Sequence, residues 1–319
     1  MAEWLFEAGI GEARAALVSR GRIWKARIEP ADNAPREGAV ARARLTDING
    51  PRTGKVTLAD RQGEALLEPL PRGITQGGTL TVRIVREAIV ERGRIRLPKA
   101  VPADGSPHPG LTLRDRIAAT GLPVRECRAH EPDHFEAAGW SEVLDEALTG
   151  DIAFPGGWLR MAVTPAMVLF DVDGAPPHGA LSIAAAHAVA QALERHDIGG
   201  SIGIDFPTLS DKAERLAVAE ALDAALPQPF ERTAINGFGF MQVVRRRARP
   251  SLPERIMADP VGHAARAVLR QLERLPPPVP DTHIVPHAVA QWLLRRPELT
   301  DELTRRTGVA ARIVAEEAR

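Results

Sequence analysis

The sequence is poor in cysteine and in aromatic residues: 319 residues include one cysteine, no tyrosine and 4% Phe, Trp and Tyr together. The single thiol, Cys127, can form neither an intrachain disulfide nor a cysteine-cluster zinc site. No run of about 18 apolar residues is present, which argues against a membrane-spanning helix. Residues 1–10 carry Glu3 and Glu7 and lack the basic start of a secretory signal, so a cytoplasmic protein is expected.

The sequence also has no excess of either charge, since 41 Lys and Arg balance 41 Asp and Glu. Proteins that bind polyanions usually carry a basic surplus, so composition does not favour nucleic-acid binding, although a local basic face is compatible with it. A hydrophobic content of 44% and this length suit two or three compact domains of mixed secondary structure.

Two parts of the sequence have a clear strand pattern. Residues 1–35 predict two or three short strands, and residues 36–97 predict about five more, ending with one at 93–97. Five short strands with regular turns favour a small closed barrel of the OB type, which can bind single-stranded nucleic acid or only pack as a spacer. Residues 98–110 are rich in proline and glycine and predict a linker, with helices and a short strand following up to residue 150.

Residues 151–250 carry the most informative pattern. The buried-looking strands Val168-Leu169-Phe170 and Ile202-Gly203-Ile204 end in Asp171 and Asp205, and a helical period lies between them. Such strand–helix–strand units are parallel, so both carboxylates should meet at one edge of a sheet, where Mg²⁺ could bind them together with phosphate oxygens. Asp173 could complete or orient that shell. The alternative is that the aspartates only begin turns or cap helices.

Five short stretches, in order and at matching spacing, resemble the catalytic domain of the ribonuclease E/G family. They are Phe154-Pro155-Gly156-Gly157, Phe170-Asp171-Val172-Asp173, Asp197-Ile198-Gly199-Gly200, Ile204-Asp205-Phe206, and Asn236-Gly237-Phe238-Gly239-Phe240-Met241 continuing to Leu252. The resemblance implies an α+β multidomain fold. Its parts are an RNase-H-like domain in two segments (1–35 and 98–150), an OB-type RNA-binding barrel (36–97), a DNase-I-like catalytic domain (151–252) and a small α/β C-terminal domain (253–319).

The same resemblance implies an activity. It predicts an endoribonuclease that cuts single-stranded RNA, with Asp171 and Asp205 as catalytic magnesium ligands and Asp173 as a further ligand or orienting group. Mn²⁺ is expected to substitute for Mg²⁺, and no zinc is expected because the family's cysteine pairs between subunits are missing. A homodimer through the C-terminal domain is a further implication, and no membrane partner is expected.

Several departures from the family pattern weaken this prediction. Asp173-Gly174-Ala175-Pro176 replaces a segment with Asn, Ser and Arg, and Ser182 and Ala184 replace an Asn and a Glu of the crossover helix. The domain that senses a 5′-monophosphate has no counterpart after residue 97, and the barrel lacks aromatic residues. A catalytically weak RNA-binding protein that keeps the nuclease fold is therefore the alternative, and a nuclease for structured RNA or DNA is a third.

A basic run follows the last predicted strand of the catalytic domain. Arg245, Arg246, Arg247 and Arg249 could neutralise RNA phosphates near the metal site, or they could be an ordinary solvated strand end.

Overall fold

A computed structural model describes residues 1–59, 63–91 and 94–316 as a mixed α+β protein. It contains a four-stranded sheet, a closed five-stranded barrel, a six-stranded sheet and a helical C-terminal part, each with buried apolar residues. Across these ranges, no helix has both the length and the apolar character needed to cross a membrane.

The first unit is a four-stranded sheet covered by helices on both faces. Trp4 and Phe6 point to one face, where they meet Leu113, while Leu5 points to the other and packs near Trp140. The order of its strands is β11-β1-β2-β3, with β1 and β11 parallel, so a late strand joins three early ones. The unit consists of β1 (Glu3–Ala8), β2 (Glu12–Ser19), β3 (Arg22–Pro30), α1 (Leu113–Ala118), β11 (Val124–Glu126), α2 (His134–Ala137) and α3 (Trp140–Thr149).

Between these segments lies a closed barrel of five strands, consistent with the OB-type barrel predicted from the sequence. Its strands, in the order β10-β6-β5-β4-β7, are β4 (Val40–Gly50), β5 (Thr53–Leu58), β6 (Glu64–Leu67), β7 (Thr79–Arg86) and β10 (Lys99–Pro102). Alternate residues such as Leu45, Val56 and Val82 are completely buried and fill the interior. The RNase-H-like and DNase-I-like identities of the flanking units stay predictions.

The predicted fifth barrel strand at 93–97 is wrong. The described part of that segment, β9 (Arg94–Arg96), is exposed and pairs with β8 (Ile89–Glu91) in a separate hairpin. The barrel is closed instead by β10, in which Ala100 is completely buried, although this segment was predicted to be linker. Its prolines lie at and next to the strand ends, where proline is tolerated. Gln62 and Gly93, predicted turn and strand residues, lie outside the described residues.

The third unit is a six-stranded mixed sheet in the order β12-β13-β14-β15-β17-β16. Helices α4 and α5 pack on one face of it, and their apolar residues share a core with Phe170, Ile202 and Ile204. The elements are β12 (Asp151–Phe154), β13 (Gly157–Val163), β14 (Val168–Gly174), α4 (His178–Arg195), β15 (Gly200–Asp205), α5 (Lys212–Ala225), β16 (Phe230–Arg232) and β17 (Phe240–Arg245). Residues that alternate with the buried ones form an opposite face, called the open face below.

The remaining elements are α6 (Leu252–Ala258), α7 (Pro260–Glu273), β18 (Thr282–Val285), α8 (His287–Leu294), α9 (Pro297–Thr307) and β19 (Arg312–Ala315). Strands β18 and β19 are parallel, and their helices bury Leu269, Val289 and Leu303 in a common core. Helix α6 belongs elsewhere, because its Leu252 and Ile256 pack into the first unit.

Candidate functional site

The two predicted aspartates lie side by side on the open face of the six-stranded sheet. Strands β14 and β15 are parallel neighbours, and Asp171 is paired with Asp205 across them. The preceding pair, Phe170 and Ile204, is completely or almost completely buried beneath the helices. Because successive side chains of a strand point to opposite faces, both carboxylates must point away from the helices, on strands roughly 4.8 Å apart.

The local sequence explains why the strands pair in this way. Helix α4 connects β14 to β15 and buries a face of small residues, including Ala185, Ala188 and Ala192, against the sheet. Small side chains allow the helix to approach the strands closely, and a helix that crosses back over the sheet lets the two strands run parallel. Both strands therefore end at the same edge of the sheet, as the sequence predicted.

The two carboxylates are exposed and have no counterion within the described part of the chain. Among the described residues, no hydrogen bond or ion pair within 4.0 Å involves the side chain of Asp171 or Asp205. Two negative groups on adjacent strands repel each other, and a divalent cation would relieve that repulsion. The donor set, two carboxylates with open space for water and phosphate oxygens, fits the preference of Mg²⁺.

Asp173 lies apart from this pair, and its role as a third ligand stays a prediction. No group of three or more His, Cys, Asp or Glu side chains suited to a metal ion occurs in the described ranges. Asp173 shares the open face but lies one pleat further along β14, opposite Trp158. Its Oδ2 lies 3.9 Å from Nε of Arg160, so its nearest charged neighbour is a guanidinium group.

Arg160 is a site residue that sequence reasoning missed. It lies on β13 directly opposite Asp171, on the same face, and 71% of its side chain is exposed. Asp151, Arg160, Asp171, Asp205 and Phe240 thus form one row across five strands. The alternation of β13 was visible in the sequence, but its antiparallel register against β14 was not, and only that register places a positive charge beside the carboxylates.

The floor beside the pair is apolar and tightly packed. Gly203, one pleat before Asp205, lies under Leu169 and Phe240, and a Cβ atom there would come within 2.7 Å of both side chains. Only glycine leaves room for this contact. The carboxylates therefore lie beside a small apolar surface formed by Leu169 and Phe240.

The predicted departures at Gly174, Ser182 and Ala184 do not fall on the open face. Gly174 ends β14 in a tight approach to Leu181, where a Cβ would come within 2.5 Å of that side chain. Ser182 is completely buried in α4, on the opposite side of the sheet. The arginine that follows the position of Asp173 in the family is missing here. A positive side chain is nevertheless present on the open face, because Arg160 lies on the neighbouring strand β13.

The basic run was predicted near the metal site, and the structure places it at the opposite end of the sheet. Arg245 pairs with Gly200, five residues before Asp205, which is roughly 17 Å away along the strand. All four arginines contact carboxylates within the protein: Arg245 contacts Glu194, Arg246 contacts Glu37, Arg247 contacts Glu254, and Arg249 contacts Glu37 and Asp197. These arginines therefore link the six-stranded sheet to the barrel and to α6.

Asp197 is the centre of this cluster of ion pairs. It has a φ of 56°, in the left-handed region that aspartate tolerates better than most residues, and it turns the chain from α4 into β15. Its carboxylate lies 3.2 Å from Arg27 of β3 and 3.5 Å from Arg249. Burial alone would raise the pKa of Asp197, but the charges of Arg27 and Arg249 outweigh it and hold that pKa below its usual value.

With this geometry in view, comparison with known proteins is informative. Residues 119–248 match the model of the ribonuclease E/G family. Ribonuclease G of Salmonella typhimurium is 31% identical over 109 residues and that of Escherichia coli 30%, each alignment covering 30% of this chain and 22% of the relative. A chloroplastic ribonuclease E/G-like protein of Arabidopsis thaliana is 29% identical over 113 residues, which cover 11% of its length.

Residues 119–248 are thus similar to the ribonuclease E/G family, over less than half of the chain. This segment contains Asp171, Asp205 and Arg160 and all six strands of the sheet that positions them. The matched part nevertheless spans only about a fifth of the length of the ribonuclease G proteins.

Asp197→Asn is expected to destabilise the protein by about 1–3 kcal/mol at neutral pH, because Arg27 and Arg249 lose a charged partner. The difference in unfolding free energy between the wild type and Asp197→Asn should shrink as the pH falls below about 4. A carboxyl group with a lowered folded-state pKa stabilises the fold above its unfolded pKa and loses that effect as it is protonated. Urea unfolding midpoints of both proteins between pH 3 and 7 provide the measurement. Asp301→Asn, at an exposed carboxylate, is the control and should leave the midpoint unchanged.

Proposed function

We propose that this protein is a Mg²⁺-dependent endoribonuclease that cuts single-stranded RNA internally and leaves 5′-phosphate and 3′-hydroxyl ends. The observation that carries this proposal is the parallel pairing of Asp171 with Asp205. It places two carboxylates, without counterions among residues 1–59, 63–91 and 94–316, on one exposed face within the segment that matches the ribonuclease E/G family. Two ribonuclease G proteins among its relatives support the reaction class.

The carboxylate pair is the proposed magnesium site, with Mn²⁺ as a substitute ion and no role for zinc. A magnesium ion held there would supply charge neutralisation at the phosphate and a more acidic bound water. The protein's own contribution is the fixed spacing of the two oxygen donors. That spacing is set by the β14–β15 ladder and by the buried pair Phe170 and Ile204 beneath it.

Arg160 is the proposed phosphate contact of the site. Its guanidinium group is on the strand next to Asp171 and reaches the same exposed face, where it can donate hydrogen bonds to phosphate oxygens. Asp173, 3.9 Å away, would position this guanidinium group rather than bind the metal. The charge of Arg160 also offsets part of the repulsion between the three aspartates and an incoming polyanion.

The barrel and the C-terminal part have secondary roles in this proposal. The barrel is a candidate RNA-binding surface, with Arg42 and Arg44 lining a groove of its outer wall beside Thr79 and Thr81. Assembly of two copies through the C-terminal part, without zinc, stays a prediction from the family resemblance.

Asp171→Asn and Asp205→Asn should each reduce RNA cleavage at least roughly a hundredfold, because one donor of the pair loses its charge. The measurement is Mg²⁺-dependent cleavage of a fluorescent single-stranded RNA, together with Mg²⁺ binding by calorimetry without RNA. Asp151→Asn is the matched control. It removes an exposed carboxylate from the same row but two strands away from Asp171, and it should retain activity.

Wild-type protein that binds RNA without cutting it would contradict the nuclease proposal and favour a catalytically weak RNA-binding protein. Equal cleavage by the wild type and both Asn variants would place the active site elsewhere. Both variants should remain folded, since neither carboxylate has a partner to lose among the residues that the structure describes.

Arg160→Met should reduce cleavage roughly tenfold or more, the equivalent of one hydrogen bond to a charged group, and Arg160→Lys should restore part of the rate. Steady-state kinetics on the same RNA measure this effect, with Mg²⁺ affinity expected to stay close to that of the wild type. Arg312→Met changes an exposed arginine of β19, outside the site, and serves as the control. An unchanged rate for Arg160→Met would remove Arg160 from the site.

The family's 5′-sensing domain is predicted to be missing from this chain, so cleavage should be indifferent to the 5′ end of the RNA. Two RNAs of one sequence, with a 5′-monophosphate or a 5′-hydroxyl, should be cut at equal rates. Much faster cleavage of the monophosphorylated RNA would show that another part of the protein senses that group.

A further inference from the structure

We infer that Trp158 and Phe238 are two stacking surfaces for unpaired nucleobases, one on each side of the carboxylate pair. This inference rests on the proposed function and specifies the form of its substrate. It assigns the recognition of bases to the catalytic sheet itself. The argument depends on where the two rings lie, how their backbone is held and what lies between them.

Trp158 is exposed on the open face. It lies on β13 opposite Asp173, one pleat beyond the pair of Arg160 and Asp171, and 57% of its surface is accessible. Its neighbours in sequence, Gly157 and Leu159, are partly or completely buried, so the strand itself is firmly packed. A large indole ring left in water at such a place has no role in the core of the protein.

Phe238 is still more exposed, with 85% of its surface accessible. Its loop is nevertheless well held, because the Asn236 side chain accepts hydrogen bonds from the backbone N–H of Phe238 at 2.9 Å and of Phe240 at 3.1 Å. Gly239 has a φ of 96°, and a Cβ atom there would come within 2.1 Å of the Phe206 carbonyl oxygen. The loop thus presents an exposed ring on a backbone with little freedom.

The two rings flank the aspartates. Strand β13, which carries Trp158, borders β14 on one side, and β17, which follows directly on the loop of Phe238, borders β15 on the other. Three strand spacings, roughly 14 Å, separate β13 from β17. Both rings lie towards the edge at which β14 and β15 end. A strand of nucleic acid with its phosphate at the carboxylates would therefore place neighbouring bases near both rings.

The chemistry of this arrangement selects unpaired bases. Aromatic rings bind single strands by stacking on base faces, which an intact duplex covers with the neighbouring base pairs. Arg160, together with a cation held by the carboxylate pair, would suit a phosphate, which a purely apolar protein partner lacks. The barrel cannot offer such stacking, because residues 36–110 contain no Phe, Trp or Tyr.

The test is equilibrium binding of a fluorescein-labelled single-stranded RNA of mixed sequence, measured by anisotropy in EDTA so that no cleavage occurs. Trp158→Ala and Phe238→Ala should each weaken binding roughly five- to a hundredfold, the usual effect of losing one stacked base. Binding of a duplex of the same sequence should change little. Trp158→Phe and Phe238→Tyr, which keep a ring, should retain most of the affinity, whereas Phe238→Leu should not.

A second measurement ties each ring to a base. RNAs that lack one base should bind the wild type more weakly than the intact RNA. At one position, removing the base should no longer weaken binding in Trp158→Ala, and at a second position it should no longer weaken binding in Phe238→Ala. Non-additivity of this kind requires direct contact between ring and base. The matched control is Trp24→Ala, which removes an exposed indole from β3 of the first unit and should leave RNA binding unchanged.

The outcomes separate this inference from the proposed function. Ring-dependent binding without cleavage supports the stacking surfaces and contradicts the nuclease proposal. Cleavage that depends on Asp171 and Asp205 but not on either ring supports the nuclease proposal and contradicts the stacking surfaces. Equal losses for single strand and duplex would also overturn the inference. So would a change of molecular mass in sedimentation when the rings are removed, since the rings would then contact a second copy of the chain.

Discussion

The register between β14 and β15 is the constraint on which the rest of the site depends. Side chains of a strand alternate between its two faces, so a slip of one residue would bury one aspartate beneath α4 and expose a core residue in its place. The core prevents this, because Phe170, Val172, Ile202 and Ile204 on these strands are all buried under the helices. The position of the carboxylates is therefore a consequence of apolar packing on the opposite face of the sheet.

A second constraint acts between the units. Arginine side chains bridge them: Arg27 of β3 reaches Asp197 of the six-stranded-sheet unit, and Arg270 of α7 reaches Glu7 of β1 at 2.8 Å. Ion pairs with little solvent exposure add modest net stability compared with apolar packing, but breaking one leaves an uncompensated charge. Such pairs favour one arrangement of the units over others. Much of the protein's arginine is engaged in this way, which explains how an arginine-rich chain lacks a basic surface at its candidate site.

The fold could be predicted from sequence where one residue pattern dominates. Asp171 and Asp205 each follow a short apolar strand, and the helical period between them implied a parallel pair, so their meeting could be inferred before any coordinates. The fifth barrel strand could not, since Pro98 and Pro102 beside Ala100 have the composition of a linker. The antiparallel register between β13 and β14 could not be predicted either, and the position of Arg160 depends on that register. The basic run was misplaced for a related reason: its charge is evident in the sequence, but its partners Glu37 and Glu254 come from distant segments.

The balance of charge bears on how such a site can hold a polyanion. Within the six-stranded sheet, all of whose residues are described, Arg160 is the one arginine on the open face, against Asp151, Asp171, Asp173, Asp205 and Glu231. Phosphate neutralisation by side chains, the usual source of nucleic-acid affinity, is therefore weak at this face. Affinity has to come from interactions that do not need a basic surface, namely a cation on the carboxylate pair and contacts to the bases. The exposed rings of Trp158 and Phe238 can supply the contacts to the bases. A neutral protein with this sheet is thus better suited to a short unpaired segment at the site than to a long stretch of backbone.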